Sequence, residues 1–468
     1  MAFTDLNFLS RFLPLVMIIY FLSPRRYQIP VLFVGSLVFY SLGDWKWLPL
    51  LLLLCGVNYL FARRMAPLSV ENLPENGVQT EDSVQRRSPR KKELLAGILL
   101  IDAGVLVLFK VLLAGYGLAL PLGISFYIFK MLSFQIDLYR GKIGAAPSLL
   151  VTATYFCLFF QIAQGPIMRF SEESFGGNRR RFSLVGLEDG LKYLILGLSM
   201  KLLVADRLAI LWNEAVKIGF ESLSTPLAWL ATIGYSLELY LDFWGYSLMA
   251  AGIGVMLGFP FVENFRHPFA AASVGEFYRR WHITLTSWFK EYVYIPIGGS
   301  RATRERTVCN ILIVWLLTGL WHGGGMHFVV WGLMLGALIA GEKFVYREWL
   351  LRYPLAGHIY TLAVLPLTWA AFAAGNMREL GTLLRRLLPV TGHVSGANAG
   401  DFGRYLVQYL PYLCVAIALC VPRVYDWIAQ KREGRAKLIE AVVLVALLWM
   451  SLYAANTSQA NPFLYFYF

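Results

Sequence analysis

The sequence predicts an all-α, polytopic membrane protein of roughly ten to twelve transmembrane helices, with re-entrant and interfacial helices among them. Two observations predict it. Hydrophobic residues make up 57% of the 468 and charged residues only 15%, where an ordinary soluble domain is about a quarter charged. The charges are also unevenly spread: residues 48–60, 311–320 and 442–450 hold none. A bilayer core of ~30 Å takes about 20 mostly apolar residues per helix, and one soluble core would not absorb so much apolar length.

Taken in order, the apolar runs place spans near 12–23, 29–43, 46–62, 94–113, 148–163, 191–212, 226–258, 308–321, 326–341, 359–374, 405–421 and 437–455. Arg25 and Arg26 follow the first run, and Arg63 and Arg64 follow the third. Cytoplasmic loops collect Lys and Arg, so residues 24–28 and 63–93 are expected in the cytoplasm and the N-terminus outside. Arg423, Lys431, Arg432, Arg435 and Lys437 put the loop at 422–437 on the cytoplasmic side too. The middle of the chain gives no clean alternation, as re-entrant helices would produce. Residues 66–92, polar and rich in Ser, Asn, Glu and Arg, read as a mobile cytoplasmic loop. A second soft stretch is glycine-rich, 391–403. The first helix is expected to stay, since no small-residue cleavage site follows it.

The net charge of +13 belongs to these loops, so no nucleic-acid partner is expected; the partner of the apolar surface is membrane lipid. The 25 Tyr and 14 Trp suit interfacial belts. Cys55, Cys157, Cys309, Cys414 and Cys420 all lie in apolar runs without a C-x-x-C pair. They read as small reduced core residues.

Six histidines occur, and two have unusual surroundings. His322 closes an apolar run and precedes Gly323, Gly324 and Gly325. Three glycines do not readily continue a helix, so one helix should end at His322 and another begin near Met326. Broken backbone at membrane depth is tolerated beside protein or a water-filled cavity, and an ionisable residue there is a functional candidate. A hydrogen-bonded structural histidine at a kink fits the same residues equally well. His282 falls within 276–292, where a continuous helical wheel puts Arg279, His282, Thr286 and Lys290 on one face. Trp281, Leu285, Trp288, Phe289 and Tyr292 share the other. That pattern suits an interfacial or cavity-lining amphipathic helix, on which His282 is one more polar contact.

Glu238 and Asp242 lie one helical turn apart in the run 226–258, where an unpaired Asp costs ~2.5–3.5 kcal/mol to insert. They are expected to pair with Arg279 or Arg280, to line a polar cavity, or to carry protons. No metal is expected: His322 and His327 do not have the i, i+4 spacing that puts two ligands on one helix face. No G-x-S-x-G elbow marks a serine nucleophile. Residues 297–301, Gly-rich without phosphate-loop spacing, read as a turn.

Four stretches carry a family resemblance: PLGISFYIFKMLSFQIDLYRGK from Pro121, LYLDFWGYSLMAAGIGVMLGFPFVENFRHPF from Leu239, SVGEFYRRWHITLTSWFKEYVYIPIGGSR from Ser273, and LTGLWHGGGMHFVVWG from Leu317. With the closing NPFLYFYF they make the chain similar to the MBOAT family, the membrane-bound O-acyltransferases. It most resembles the bacterial alginate O-acetyltransferase membrane-subunit branch. Glu238, Trp244 and Leu248 depart from that branch's usual residues. The resemblance covers nearly the whole chain and implies a single membrane-embedded domain, 1–468, with tilted helices around a central tunnel.

By that resemblance both histidines face the tunnel, His322 is catalytic, and His282 is its partner, orienting or stabilising the oxyanion. Arg279, Glu238 and Asp242 would be polar groups of the tunnel. Lys290, Arg301, Arg304 and Arg306 would attract the phosphates of the co-substrate, an acyl-CoA or an acyl-carrier phosphopantetheine thioester, unless they are ordinary loop cations. No cofactor stays bound. An extracytoplasmic acetyltransferase or polysaccharide-synthesis machinery is the implied partner, and the bacterial cytoplasmic membrane the location. Alternatives are D-alanyl transfer to teichoic acid, a secondary transporter with Glu238 and Asp242 in the proton path, and a non-enzymatic scaffold.

Overall fold

The structure, a computed structural model, describes residues 2–65, 89–113, 120–172, 182–388, 400–430 and 432–457. Among them every regular element is helical. The expected loop falls mostly at 66–88, outside the described residues, as do most of the soft stretch at 391–403 and the closing residues 461–468. Six stretches among the described residues are long and apolar enough to cross a membrane. The chain is an all-α, multi-pass membrane protein that forms two compact units, residues 1–188 with 253–261, and residues 189–252 with 262–468.

The first unit holds α1 (Leu13–Leu22), α2 (Arg25–Asp44), α3 (Leu48–Met65), α4 (Pro89–Val107), α5 (Ile124–Tyr139), α6 (Leu149–Cys157) and α7 (Phe159–Ile162). Helix α5 is a correction to the expected spans. It is almost wholly buried although it carries Lys130, Gln135 and Asp137, which lower its apolar signal. Buried polar groups need partners, and these have them. Lys130 bonds Gln161 and lies over the Tyr155 ring. Gln135 donates to Asn58 Oδ1, 2.8 Å, and Asn58 donates to Asp102, 3.0 Å. The helix starts at Gly123, φ 68°, where a Cβ would stand 1.9 Å from the Ile162 carbonyl oxygen, so only glycine fits. The expected span 148–163 is instead two short helices broken at Leu158.

Helix α8 (Leu184–Ser199) continues through a π-helical turn, Met200–Ala205, into α9 (Asp206–Ile218) and is followed by α10 (Thr225–Met256). The second unit continues with α11 (Val274–Arg280), α12 (Ile283–Phe289), α13 (Arg304–His322), α14 (Met326–Phe344), α15 (Arg347–Arg352), α16 (Pro354–Ala373), α17 (Met377–Leu387), α18 (Asp401–Cys420), α19 (Pro422–Ala429) and α20 (Gly434–Thr457). Its core is aromatic, with Tyr240, Phe277, Trp281, Trp331, Trp369 and Phe372 buried together. The cysteines divide. Cys55 and Cys157 are buried thiols 3.6 Å apart, whereas Cys309 and Cys414 are exposed and leave the expected core. Their helices turn those faces outward.

Helices α13 and α14 form a hairpin about the glycine break. Gly319 and Gly332 let their backbones touch: a Cβ would stand 2.4 Å from the Phe328 carbonyl oxygen at the first and 2.3 Å from that of Trp315 at the second. Leucine at position 332 must push the hairpin apart. Gly332→Leu should lower the thermal midpoint, with overpacking costing about 1–3 kcal/mol, and reduce catalysis with it. An unchanged midpoint would show the close approach to be dispensable.

Candidate active site

His322 is the last residue of α13 and is buried; Gly323 leaves the helix in an extended conformation, and α14 starts at Met326. This matches the sequence expectation. The imidazole sits in an aromatic box, 4.3 Å from the Trp321 ring centre, 5.1 Å from Trp331 and 5.0 Å from Phe372, the last two edge-on. A Cβ at position 323 would stand 2.8 Å from the Phe328 ring, so glycine there also lets the box close.

His282 is placed differently from the sequence reading. No continuous helix covers 276–292. Helix α11 stops at Arg280, Trp281 is extended, and His282 is left-handed at φ 45°, ψ 55°. A non-glycine residue pays for that conformation, and the segment 264–266 offsets the cost. Ile283 donates its backbone N–H to the Asn264 carbonyl, 2.9 Å, and Arg266 donates to the Arg280 carbonyl, 2.9 Å. The wheel failed because it assumed unbroken helix between two seven-residue pieces.

The Asn264 side chain then fixes the histidine's proton. Its Oδ1 lies 3.2 Å from the Thr284 backbone N, 2.9 Å from Thr284 Oγ1 and 3.1 Å from His282 Nδ1. Its Nδ2 donates to Ser247 Oγ, 3.0 Å. A backbone N–H only donates, so the amide atom it meets is the oxygen. An amide oxygen only accepts, so Nδ1 of His282 carries the hydrogen. Nε2 is therefore the lone-pair nitrogen, and it has no hydrogen-bond partner among the described residues. Burial holds this imidazole well below its ordinary pKa because the charged form loses solvation. A neutral His282 thus offers the site an acceptor, which does not suit the expected oxyanion role; that role needs a donor. The sequence carried no signal that singled out Asn264 from its polar neighbours Glu263, Arg266 and His267.

The tautomer has a measurable consequence. Asn264→Asp keeps an acceptor at Nδ1 but adds a negative charge, which raises the imidazole pKa toward or above its ordinary ~6.5. Below about pH 7 the protonated fraction then grows, so the variant's activity should fall on the acid side at higher pH than the parent's. Superimposable pH profiles would remove Asn264 from this role.

Both histidines line one cavity of about 310 Å³, together with Arg279, Lys290, Lys343 and the hydroxyls of Thr286 and Thr318. A neighbouring cavity of about 480 Å³ shares Arg279 and Lys343 and adds Arg347, Glu276 and Glu342. Glu342 accepts the backbone N–H groups of Val274, 2.5 Å, and Gly275, 2.7 Å. Lys343 and Arg347 were missed in the sequence because they follow an apolar span and look like ordinary loop cations. Arg301, Arg304 and Arg306 are exposed and line neither cavity; Arg304 donates to the Phe344 carbonyl instead.

Glu238 and Asp242 are buried but line neither cavity. The expected pairing with Arg279 or Arg280 is also corrected. Asp242 pairs with Lys201, 2.6 Å, which also holds Asp206, 2.8 Å, while Arg280 pairs with Glu276. Lys201 is some forty residues away in sequence and sits in the π-helical turn, where spacing gave no hint of it.

Residues 142–364 match the model of MBOAT, the membrane-bound O-acyltransferase family; both histidines fall within them. The chain is 32% identical over 412 residues to a probable alginate O-acetylase, AlgI, of Pseudomonas syringae pv. tomato, covering 82% of this chain and 74% of the relative. The chain belongs to the membrane-bound O-acyltransferase family. As an MBOAT protein it is an O-acyltransferase, an enzyme that transfers an acyl group to a hydroxyl oxygen. It is also similar to the peptidoglycan O-acetyltransferase of Helicobacter pylori, 27% identical over 98% of this chain and 96% of that one. A teichoic acid D-alanyltransferase of Bacillus subtilis is 26% identical over 50% of this chain and 61% of its own length.

Proposed function

We propose that the protein moves an acetyl group from a cytoplasmic thioester, acyl-CoA or an acyl-carrier phosphopantetheine, toward hydroxyls of an extracytoplasmic polysaccharide or an intermediary transferase. It does so as one catalytic domain in a bacterial cytoplasmic membrane. The observation that carries the reading is the cavity shared by two buried imidazoles and three cationic side chains. The relatives named for alginate and peptidoglycan O-acetylation support the acceptor class.

In this mechanism neutral His322 takes the proton of the acceptor hydroxyl as its oxygen attacks the thioester carbonyl. The C–O bond forms, the C–S bond breaks, and the thiolate leaves with the proton as free thiol. His282 Nε2 accepts a hydrogen bond from a second, neighbouring hydroxyl of the acceptor and so orients the attacking one. Lys290, with Arg279, Lys343 and Arg347, attracts the donor's phosphates; this set keeps Lys290 and leaves out Arg301, Arg304 and Arg306, which line neither cavity. A passage reaching both faces joins a cytoplasmic donor to an acceptor outside.

The test is transfer by the purified protein in liposomes, with labelled acetyl-CoA, acetyl-carrier and D-alanyl-carrier each offered with the acceptor polysaccharides. Hydroxylamine-releasable label and stoichiometric free thiol are expected from an acetyl donor. Transfer from the D-alanyl carrier alone would replace this reading with teichoic acid D-alanylation. Solute uptake without ester formation would replace it with transport.

A further inference from the structure

A second site lies on the outer surface of the second unit, away from the histidine cavity, and owes nothing to the proposed reaction. Leu203 in the π-helical turn, Arg207 in α9, Tyr412 in α18, and Trp449, Met450 and Tyr453 in α20 line a groove of about 520 Å³. Its outer wall is α20, which is apolar and hardly buried. Trp449 is 73% exposed and Tyr453 66%, so this wall faces lipid.

The groove's polar chemistry is one-sided. Its polar side-chain groups are the Arg207 guanidinium, the Trp449 indole N–H and the hydroxyls of Tyr412 and Tyr453. A guanidinium and an indole only donate, and a phenol is a ready donor. Among the described residues no acidic side chain lines the groove. The nearest carboxylate in sequence, Asp206, is taken by Lys201. A cation on a lipid-facing surface is costly unless an anion meets it. Here the described residues bring a charge and several donors to one place, with no carboxylate in the lining to receive them.

The position narrows the occupant. Trp449 and Tyr453 sit in the last three turns of the described part of α20, at the end remote from the basic loop that precedes it. Aromatic side chains of this kind collect at the level of lipid headgroups. The groove thus combines apolar Leu203 and Met450 with the donors of Arg207, Tyr412, Trp449 and Tyr453, and it opens to the bilayer. We propose that it binds an anionic phospholipid, with the headgroup phosphate on Arg207 and the aromatic donors, and an acyl chain along Leu203 and Met450.

The experiment uses the full-length protein, purified and delipidated in neutral detergent. Phosphatidylglycerol or phosphatidylcholine is added, and bound lipid is counted by native mass spectrometry beside thermal midpoints. Phosphatidylglycerol should bind about tenfold more tightly than phosphatidylcholine and raise the midpoint further. Arg207→Gln should remove that preference. Tyr453→Phe, which deletes one hydroxyl and little else, should weaken it in a protein whose folding is not in question. Arg423→Gln, an exposed cation outside the groove, should leave it intact. Equal binding of both lipids overturns the proposal, as does an Arg207→Gln protein that keeps the preference. Loss of it in Arg423→Gln would mark mere surface charge. Protection by inorganic phosphate equal to that by phosphatidylglycerol would mark a free-anion site in place of a lipid site.

Discussion

Replacing His322 by alanine is expected to lower acyl turnover by about 10²–10⁴-fold, the usual worth of a positioned general base. The imidazole is buried in a box of four aromatic rings, so alanine also leaves a hole. His322→Gln fills more of the box, keeps a hydrogen-bonding end and lacks basicity; it separates packing from proton transfer. Both variants should bind donor thioester as the parent does and show the loss in turnover, because the missing interaction belongs to the transition state. The proton count makes a second check. Supplying imidazole in solution should restore part of the rate to the alanine variant, whose hole admits it, and not to the glutamine variant. A glutamine variant with more than a few per cent of parental turnover would falsify the assignment of the base to this residue.

His322 was legible in the sequence because its signal is local. A glycine triplet after an apolar run breaks a helix whatever surrounds it, and the structure ends α13 at that residue. The turn at 297–301 was legible for the same reason: Gly298 and Gly299 both have positive φ. His282 was found as a residue and misplaced as an element. Its helix is broken by backbone bonds from residues 264 and 266, and periodicity carries no term for a distant segment. Asn264 and Lys201 were invisible for one shared reason. Each is defined by what it meets across the fold, and one sequence without its contacts shows only a polar residue with no named partner. Helix α5 shows the reverse error. Its polar residues lower its apolar signal, yet Lys130 and Gln135 are buried with partners from other helices, and Asp137 pairs with Lys142 just past the helix end. In each case the decisive fact was a contact between segments, which composition and spacing do not encode.

The buried charges of the second unit make the larger test of stability. Lys201 is almost fully buried and holds Asp206 and Asp242, and Asp242 is itself buried. Glu238 lies one turn before Asp242 on α10. Lys201→Met keeps the length of the side chain and removes its charge, leaving two carboxylates facing each other in a poorly solvated place. Removing one partner of a buried ion group costs about 3–5 kcal/mol, so the variant should unfold at a much lower temperature or fail to accumulate in the membrane. The informative comparison is the double variant Lys201→Met with Asp242→Asn. After both neutral replacements only Asp206, the more exposed of the two carboxylates, has lost its bond to Lys201, and neutral replacement of a buried pair is often close to neutral. The double variant should therefore recover most of the lost stability, although it lacks the ion pair altogether. That recovery would place the energy in the avoidance of an unpaired charge and leave little for the attraction itself. Additive losses in the two single variants, with no recovery in the double, would mean that the residues act independently and that the ion pair does not hold the π-helical turn against α10.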